Sequence, residues 1–341
     1  MIRIAAVSES ATVAHAMVQE LQKQFVAGLE RLAGELGSAQ RFTAVEWLRD
    51  EGHHGGGVRF ETGEGDMFWR GSVNVSQVHY DDSPEKKLGS AQAISTIIHP
   101  KHPLAPSVHI HISWTEMKDG SGYWRMMADL NPSNEIAADR ESFLAALKAA
   151  APAQFDVARA QGERYFYIPV LRRHRGVAHF YLEHYNSGNA RADSQLAQAV
   201  GRAAIEAYLM ILDKRLKTAP APAEAQKAAQ LAYHTLYFFQ VLTLDRGTTT
   251  GLLAHDQNDV GIMGSLPACV DKALLASWIK RVPSPQNALL AALVAVLPNV
   301  VPSPVNDAVK RQLAEVVRQH YLAHPEAIDM QASGDTILPI G

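Results

Sequence analysis

The stretch SVHIHISW, Ser107 to Trp114, governs how the rest of the chain is read. Its apolar residues Val108, Ile110 and Ile112 alternate with His109, His111 and Ser113. A period of two belongs to a strand that buries one face and presents the other as polar. Two imidazoles and a hydroxyl then share one side of a sheet. On either side lie further runs of strand character, separated by glycine and proline: MFWRGSVNVSQVHY from Met67, SAQAISTIIHP from Ser90, and the hairpin-like MKDGSGYWRMMADL from Met117. Helical patterns flank this block, over Thr12 to about Leu36, Glu135 to Ala151, and Asp193 to about Lys217. RYFYIPVLRRHRGVAHFYLEHYN, from Arg164, reads as one or two strands around Arg172 to Gly176. A helix precedes FFQVLTLDRGTTTGLL, from Phe238, which reads as a strand and a turn. Consecutive strands between helices predict an α+β fold with a mainly antiparallel sheet, not alternating βαβ units.

Length and composition bound the rest. A chain of 341 residues holds one large domain or two moderate ones. LKTAPAPAEAQ, from Leu216, reads as a loop because Pro220 and Pro222 stop a helix; beyond Pro267 the pattern is helical, and no internal repeat is found. The net charge is −3 and no dense basic run is present, which argues against a nucleic-acid partner. The single cysteine, Cys269, excludes an intrachain disulfide and fits a reducing cytoplasm. The first 25 residues lack the long apolar region of a signal peptide. The longest apolar run, NALLAALVAVLPNVV, is interrupted by Pro298 and falls short of the roughly 20 residues of a membrane span.

Several constellations carry chemistry, each with a plainer alternative. Gly55 to Gly57 is either an anion-cradling loop or a turn between elements, and it lacks the lysine and serine of a P-loop. The histidines His99, His102, His109 and His111 form a group in which His109 and His111 converge on one side of a strand. They are metal ligands, with His99 or Asp129 as a third, or members of a hydrogen-bonded polar sheet face. Asp129 and Asp245 are buried acceptors or turn residues, and LRRHRG, which holds Arg172 to Arg175, is a carboxylate clamp or a solvated hairpin.

Taken in order, these segments resemble the oxygen-dependent coproporphyrinogen III oxidase family. The residues that carry the resemblance are Trp47 with Gly55 to Gly57, GSVNVSQVHY, STIIHPKHPLAPSVH, the DLNP turn, YFYIPVLRRHRG, and LDRGTTTGL followed by SLP. The resemblance is strongest over residues 42–267, and within a single domain spanning 1–341 it leaves 268–341 as additional C-terminal helices. It implies a large antiparallel sheet sandwiched between layers of helices, and a homodimer built through helices and a sheet edge. It places His109 as the catalytic histidine and Asp129 as an aspartate that meets pyrrole N–H groups. Ser95 and Arg175 are expected to contact substrate, with His111 and Ser113 beside them where the family has an asparagine and an arginine. His99 falls on a histidine proposed as a metal ligand in some members; no metal is expected, with His99 and His109 as its site if one is bound.

The activity so implied is oxidative decarboxylation of coproporphyrinogen III propionates to vinyls, giving protoporphyrinogen IX in haem biosynthesis. No cofactor is expected, dioxygen being the electron acceptor. The expected partners are a tetrapyrrole substrate and a second copy of the chain, in the cytoplasm, with neither nucleic acid nor a membrane span. Two alternatives stand beside it: a non-catalytic tetrapyrrole-binding protein, and an oxygenase or decarboxylase acting on a different small aromatic or tetrapyrrole.

Overall fold

Ser8 accepts a hydrogen bond from the Ala11 amide at 3.1 Å and so caps helix α1 (Glu9–Glu35). Ala14, Val18, Leu21, Phe25, Leu29 and Leu32 recur on one stripe of that helix and are buried. The computed structural model describes residues 3–254 and 257–334. The stripe of α1 lies on a seven-stranded antiparallel sheet: β1 (Thr43–Leu48), β2 (Gly55–Thr62), β3 (Phe68–His79), β4 (Leu88–Pro100), β5 (Ser107–Met117), β6 (Gly122–Asn131) and the strand Ala178–Tyr185, in that order. Helix α4 (Ala190–Thr218) packs beside α1, and α2 (Ala137–Ala150) and α3 (Phe155–Phe166) extend the layer toward the last strand.

The alternation of SVHIHISW sets which face is which. Val108, Ile110 and Ile112 join the core under α1 and α4, so His109, His111 and Ser113 point to the opposite face. That face is covered by α5 (Glu224–Thr243), α6 (Arg246–Ala254) and the C-terminal helices Gln286–Val296 and Asp307–Ala323, whose apolar residues form a second core with Ile97. The sheet is therefore sandwiched between helical layers, as the resemblance implies. Among the described residues no helix is long and apolar enough to cross a membrane.

Two local expectations are corrected. FFQVLTLDRGTTTGLL is not a strand and turn: α5 runs through Thr243, and α6 follows after Leu244 and Asp245. Phe238, Phe239, Val241 and Leu242 are all buried in the second core, and a helix apolar on several sides leaves no 3.6-residue pattern to distinguish it from a strand. The LRRHRG segment divides: Arg172 and Arg173 are exposed, whereas Arg175 is buried at 2% exposure. The triple glycine opens β2 and is paired closely between β1 and β3. Gly55 and Gly56 take φ of +95° and +148°, and a Cβ on either would meet backbone oxygen of Gln77 or Trp47 at 2.1–2.3 Å.

Candidate active site

Antiparallel register lays the polar face out in rows. His109 lies opposite Ile97 on β4 and Asp129 on β6; His111 lies opposite Ser95 and Met127; Ser113 lies opposite Ala93 and Arg125. Above this floor is a cavity of about 290 Å³. Ser95, His109, His111, Arg125 and Arg175 line it from below, while Tyr237 of α5, Asp245 and Thr248 at the start of α6, and Tyr165 of α3 line it from above and the side. Trp47 closes the far end and donates from Nε1 to Asn74 Oδ1 at 3.0 Å.

Asp129 is fully buried and stands one layer below the cavity wall. Its Oδ1 accepts from His109 Nδ1 at 2.8 Å, and its Oδ2 accepts from Arg175 Nη2 at 2.7 Å and Asn131 Nδ2 at 2.6 Å. Burial by itself would raise the pKa of this carboxyl, but the charge of Arg175, His109 and the hydrogen bonds from His109 and Asn131 hold it down to about 2. An ionised carboxylate only accepts, so His109 carries its hydrogen on Nδ1 and keeps Nε2 for proton exchange. Arg175 is held on three sides: Gln240 Oε1 accepts from Nη1 at 2.7 Å, and the rings of Phe166 and Tyr237 lie 4.5 and 4.8 Å from the guanidinium. Its burial is opposed chiefly by Asp129, which keeps it charged.

The remaining expected residues separate. Ser95 and His111 line the cavity. Ser113 does not: it is buried beside His111, whose Nε2 is 3.0 Å from the Ser113 hydroxyl, so it holds the imidazole rather than meeting a ligand. His99 is also outside the wall, fully buried, with Nδ1 at 2.9 Å from Ser107 Oγ and Nε2 at 3.2 Å from the Ser265 carbonyl. Because both ring nitrogens are already engaged, the structure does not join His99 with His109 in one ligand set. His102 lies elsewhere, 3.0 Å from the Pro220 carbonyl.

Sequence reasoning missed Arg125 and Tyr165 and under-read Asp245. Asp245 is both a turn residue and part of the wall: Oδ2 accepts from the Thr248 amide and hydroxyl at 2.8 Å, while Oδ1 accepts from Tyr165 at 2.5 Å. Arg125 sits one register step beyond the His111 row, and burial opposes its charge while Tyr181, Tyr165, Glu183 and Asp245 more than offset that. No periodic signal marks a single arginine between Trp124 and Met126 as a cavity residue.

The electrostatics give one consequence for His111. Burial, then the neighbouring Arg125 and His109, push its pKa down to about 3, so it is neutral at physiological pH. Because the folded value lies below the unfolded one, its contribution to stability is intact above about pH 6.5 and is lost as pH falls toward 3. In a proton NMR titration the His111 ring signals should stay fixed between pH 8 and about 5 and move only in stronger acid.

A model of the family described as coproporphyrinogen III oxidase matches residues 13–294, a wider span than 42–267 because it takes in most of α1 and most of the helix Gln286–Val296. A Synechococcus sp. (strain CC9605) protein described as an oxygen-dependent coproporphyrinogen-III oxidase is 30% identical over 303 residues, which cover 77% of this chain and 81% of that protein. A Rickettsia akari (strain Hartford) protein with the same description is 32% identical over 241 residues, 67% of this chain and 84% of the relative. A mitochondrial protein of Rattus norvegicus with the corresponding description is 27% identical over 306 residues, 82% of this chain and 66% of the relative.

Proposed function

The chain belongs to the coproporphyrinogen III oxidase family, a family of oxidoreductases, and from that premise we propose that it converts coproporphyrinogen III to protoporphyrinogen IX with dioxygen. The observation that carries this reading is the pairing of His109 and Arg175 through one buried carboxylate, directly under a cavity whose wall both of them share. For each propionate the electron-rich pyrrole passes an electron pair to dioxygen, which takes up two protons and leaves as hydrogen peroxide. The carbon next to the ring releases a proton, and the bond to the carboxylate breaks to leave carbon dioxide and a vinyl group. His109 is the catalytic residue that takes the proton at Nε2, since its other nitrogen is committed to Asp129. Asp129 is a positioning residue that acts through His109 and Arg175, and its negative charge favours positive charge developing above it. Ser95 and His111 supply polar contacts to the ring, and Ser113 keeps His111 in place. Because the pyrrole itself reacts with oxygen, the proposed reaction uses neither a flavin nor a haem nor a metal.

We also infer a cytoplasmic homodimer, consistent with one cysteine and with β1 forming a sheet edge. A second reading is favoured by the cavity itself: about 290 Å³ is at the low end for small-molecule sites, roughly 300–1,000 Å³, and suits a smaller aromatic carboxylate. Incubation with coproporphyrinogen III under air, followed by oxidation and fluorescence, should reveal protoporphyrin. Light scattering of the same preparation should give twice the 37.2 kDa chain mass. Binding of coproporphyrinogen without turnover would instead identify a carrier, and neither binding nor turnover would favour the smaller substrate.

A further inference from the structure

Arg125 is the cavity arginine without a close carboxylate hydrogen bond. Arg175, at the other end of β6, faces the ionised Asp129 at 2.7 Å. Among the described residues the carboxylate within ion-pair distance of Arg125 is Glu183, with Nη2 to Oε1 at 3.4 Å, longer than the roughly 2.7–2.9 Å of a strong charge-assisted bond. Glu183 is also drawn away: its Oε2 accepts from the Gly334 amide at 2.7 Å and the Ser333 hydroxyl at 3.3 Å. The Arg125 Nε, like that of Arg175, is buried without a hydrogen-bond partner among the described residues. The Arg125 side chain keeps 22% of its surface exposed, against 2% for Arg175, so the end of its guanidinium is what a ligand in the cavity can reach. The guanidinium lies 5.8 Å from the Tyr181 ring centroid.

The floor next to Arg125 is made for a ligand edge. Its register row runs past Ser113 to Ala93 and Ser76, two small residues that line the cavity floor. Arg125 is four residues from Asp129 along one strand, about 13 Å at the usual rise. A ring seated over His109 and Arg175 would therefore bring a substituent at its rim, not its centre, to Arg125.

We propose that Arg125 is the carboxylate receptor and a specificity-determining residue of this cavity, binding a rim propionate of the tetrapyrrole through the Nη end of its guanidinium. This rests on the tetrapyrrole reading given above. A planar guanidinium presents parallel N–H donors to a carboxylate, a geometry that an ester cannot answer with charge.

The test titrates the protein with coproporphyrin III and with its tetramethyl ester, following porphyrin fluorescence. The wild-type chain should prefer the free acid. R125Q should weaken binding of the acid by on the order of 10- to 100-fold and leave the ester nearly unchanged. R125K, which keeps the charge at the same place without the planar fork, should retain part of the preference for the acid. If R125Q melts early, R125Q/E183Q, which leaves no carboxylate without its cation, replaces it in the same titration. Equal binding of the acid by the wild type and the substituted protein overturns the role of Arg125 while the tetrapyrrole reading stands. Failure of the wild type to bind either porphyrin overturns both.

Discussion

Asp129→Asn should lower both stability and turnover. The amide keeps the volume of the carboxyl but removes the anion that faces Arg175, which is buried at 2% exposure. Breaking one side of a buried ion pair costs about 3–5 kcal/mol, because the remaining charge stays out of water without compensation. Its Nδ2 would also bring a donor against the donors of His109, Arg175 or Asn131. Urea unfolding should show the lost stability as a lower midpoint with an unchanged slope. Turnover of the fraction that remains folded should fall on the order of a hundredfold or more, as when a charge-stabilising group is removed. A double variant with Arg175→Met should recover much of the stability but none of the activity, which separates the structural role from the catalytic one. The pH dependence has a definite sign. Asp129 has its pKa depressed from 3.8 to about 2, so the stability it contributes is complete above about pH 4 and is lost as pH falls toward 2. That acid limb should be missing from the Asn variant. Wild-type unfolding energy and turnover in Asp129→Asn would remove the buried carboxylate from the account.

His109→Ala should act on chemistry with much less effect on folding. Asp129 keeps Arg175 and Asn131 as partners, so no buried charge is stranded. The loss in kcat should be on the order of 10²–10⁴, the range of a positioned proton-transfer group, with KM changed far less. Added imidazole should restore part of the rate, because the vacated space lies at the cavity wall and Asp129 is still there to orient a guest ring. A variant that turns over coproporphyrinogen at the wild-type rate would move proton transfer to another wall residue. His111 is the nearest imidazole, but its depressed pKa makes it a poor proton carrier near neutrality.

The sequence by itself determined the faces of the sheet. Alternation in SVHIHISW commits Val108, Ile110 and Ile112 to one side and His109 and His111 to the other, since side-chain direction in a strand is a local property of the backbone. The first helix was legible for the same reason, from a stripe of period 3.6. The order of short motifs from Trp47 to the SLP turn was enough to indicate the family. Only the tertiary structure decided which polar groups meet. Asp129 and Arg175 are 46 positions apart, and Tyr165 and Asp245 are 80 apart. Arg172, Arg173 and Arg175 read alike in sequence, yet the first two are exposed and the third is buried under Phe166 and Tyr237. The difference is made by α3 and α5, which arrive from elsewhere in the chain and cover one arginine. Burial, and with it the cost of an unpaired charge, belongs to the assembled layers rather than to any local pattern. Arg125 was invisible for that reason: its place opposite Ser113 follows from the β5–β6 pairing, but its isolation from a strong partner follows from where Glu183 and the segment through Gly334 come to rest.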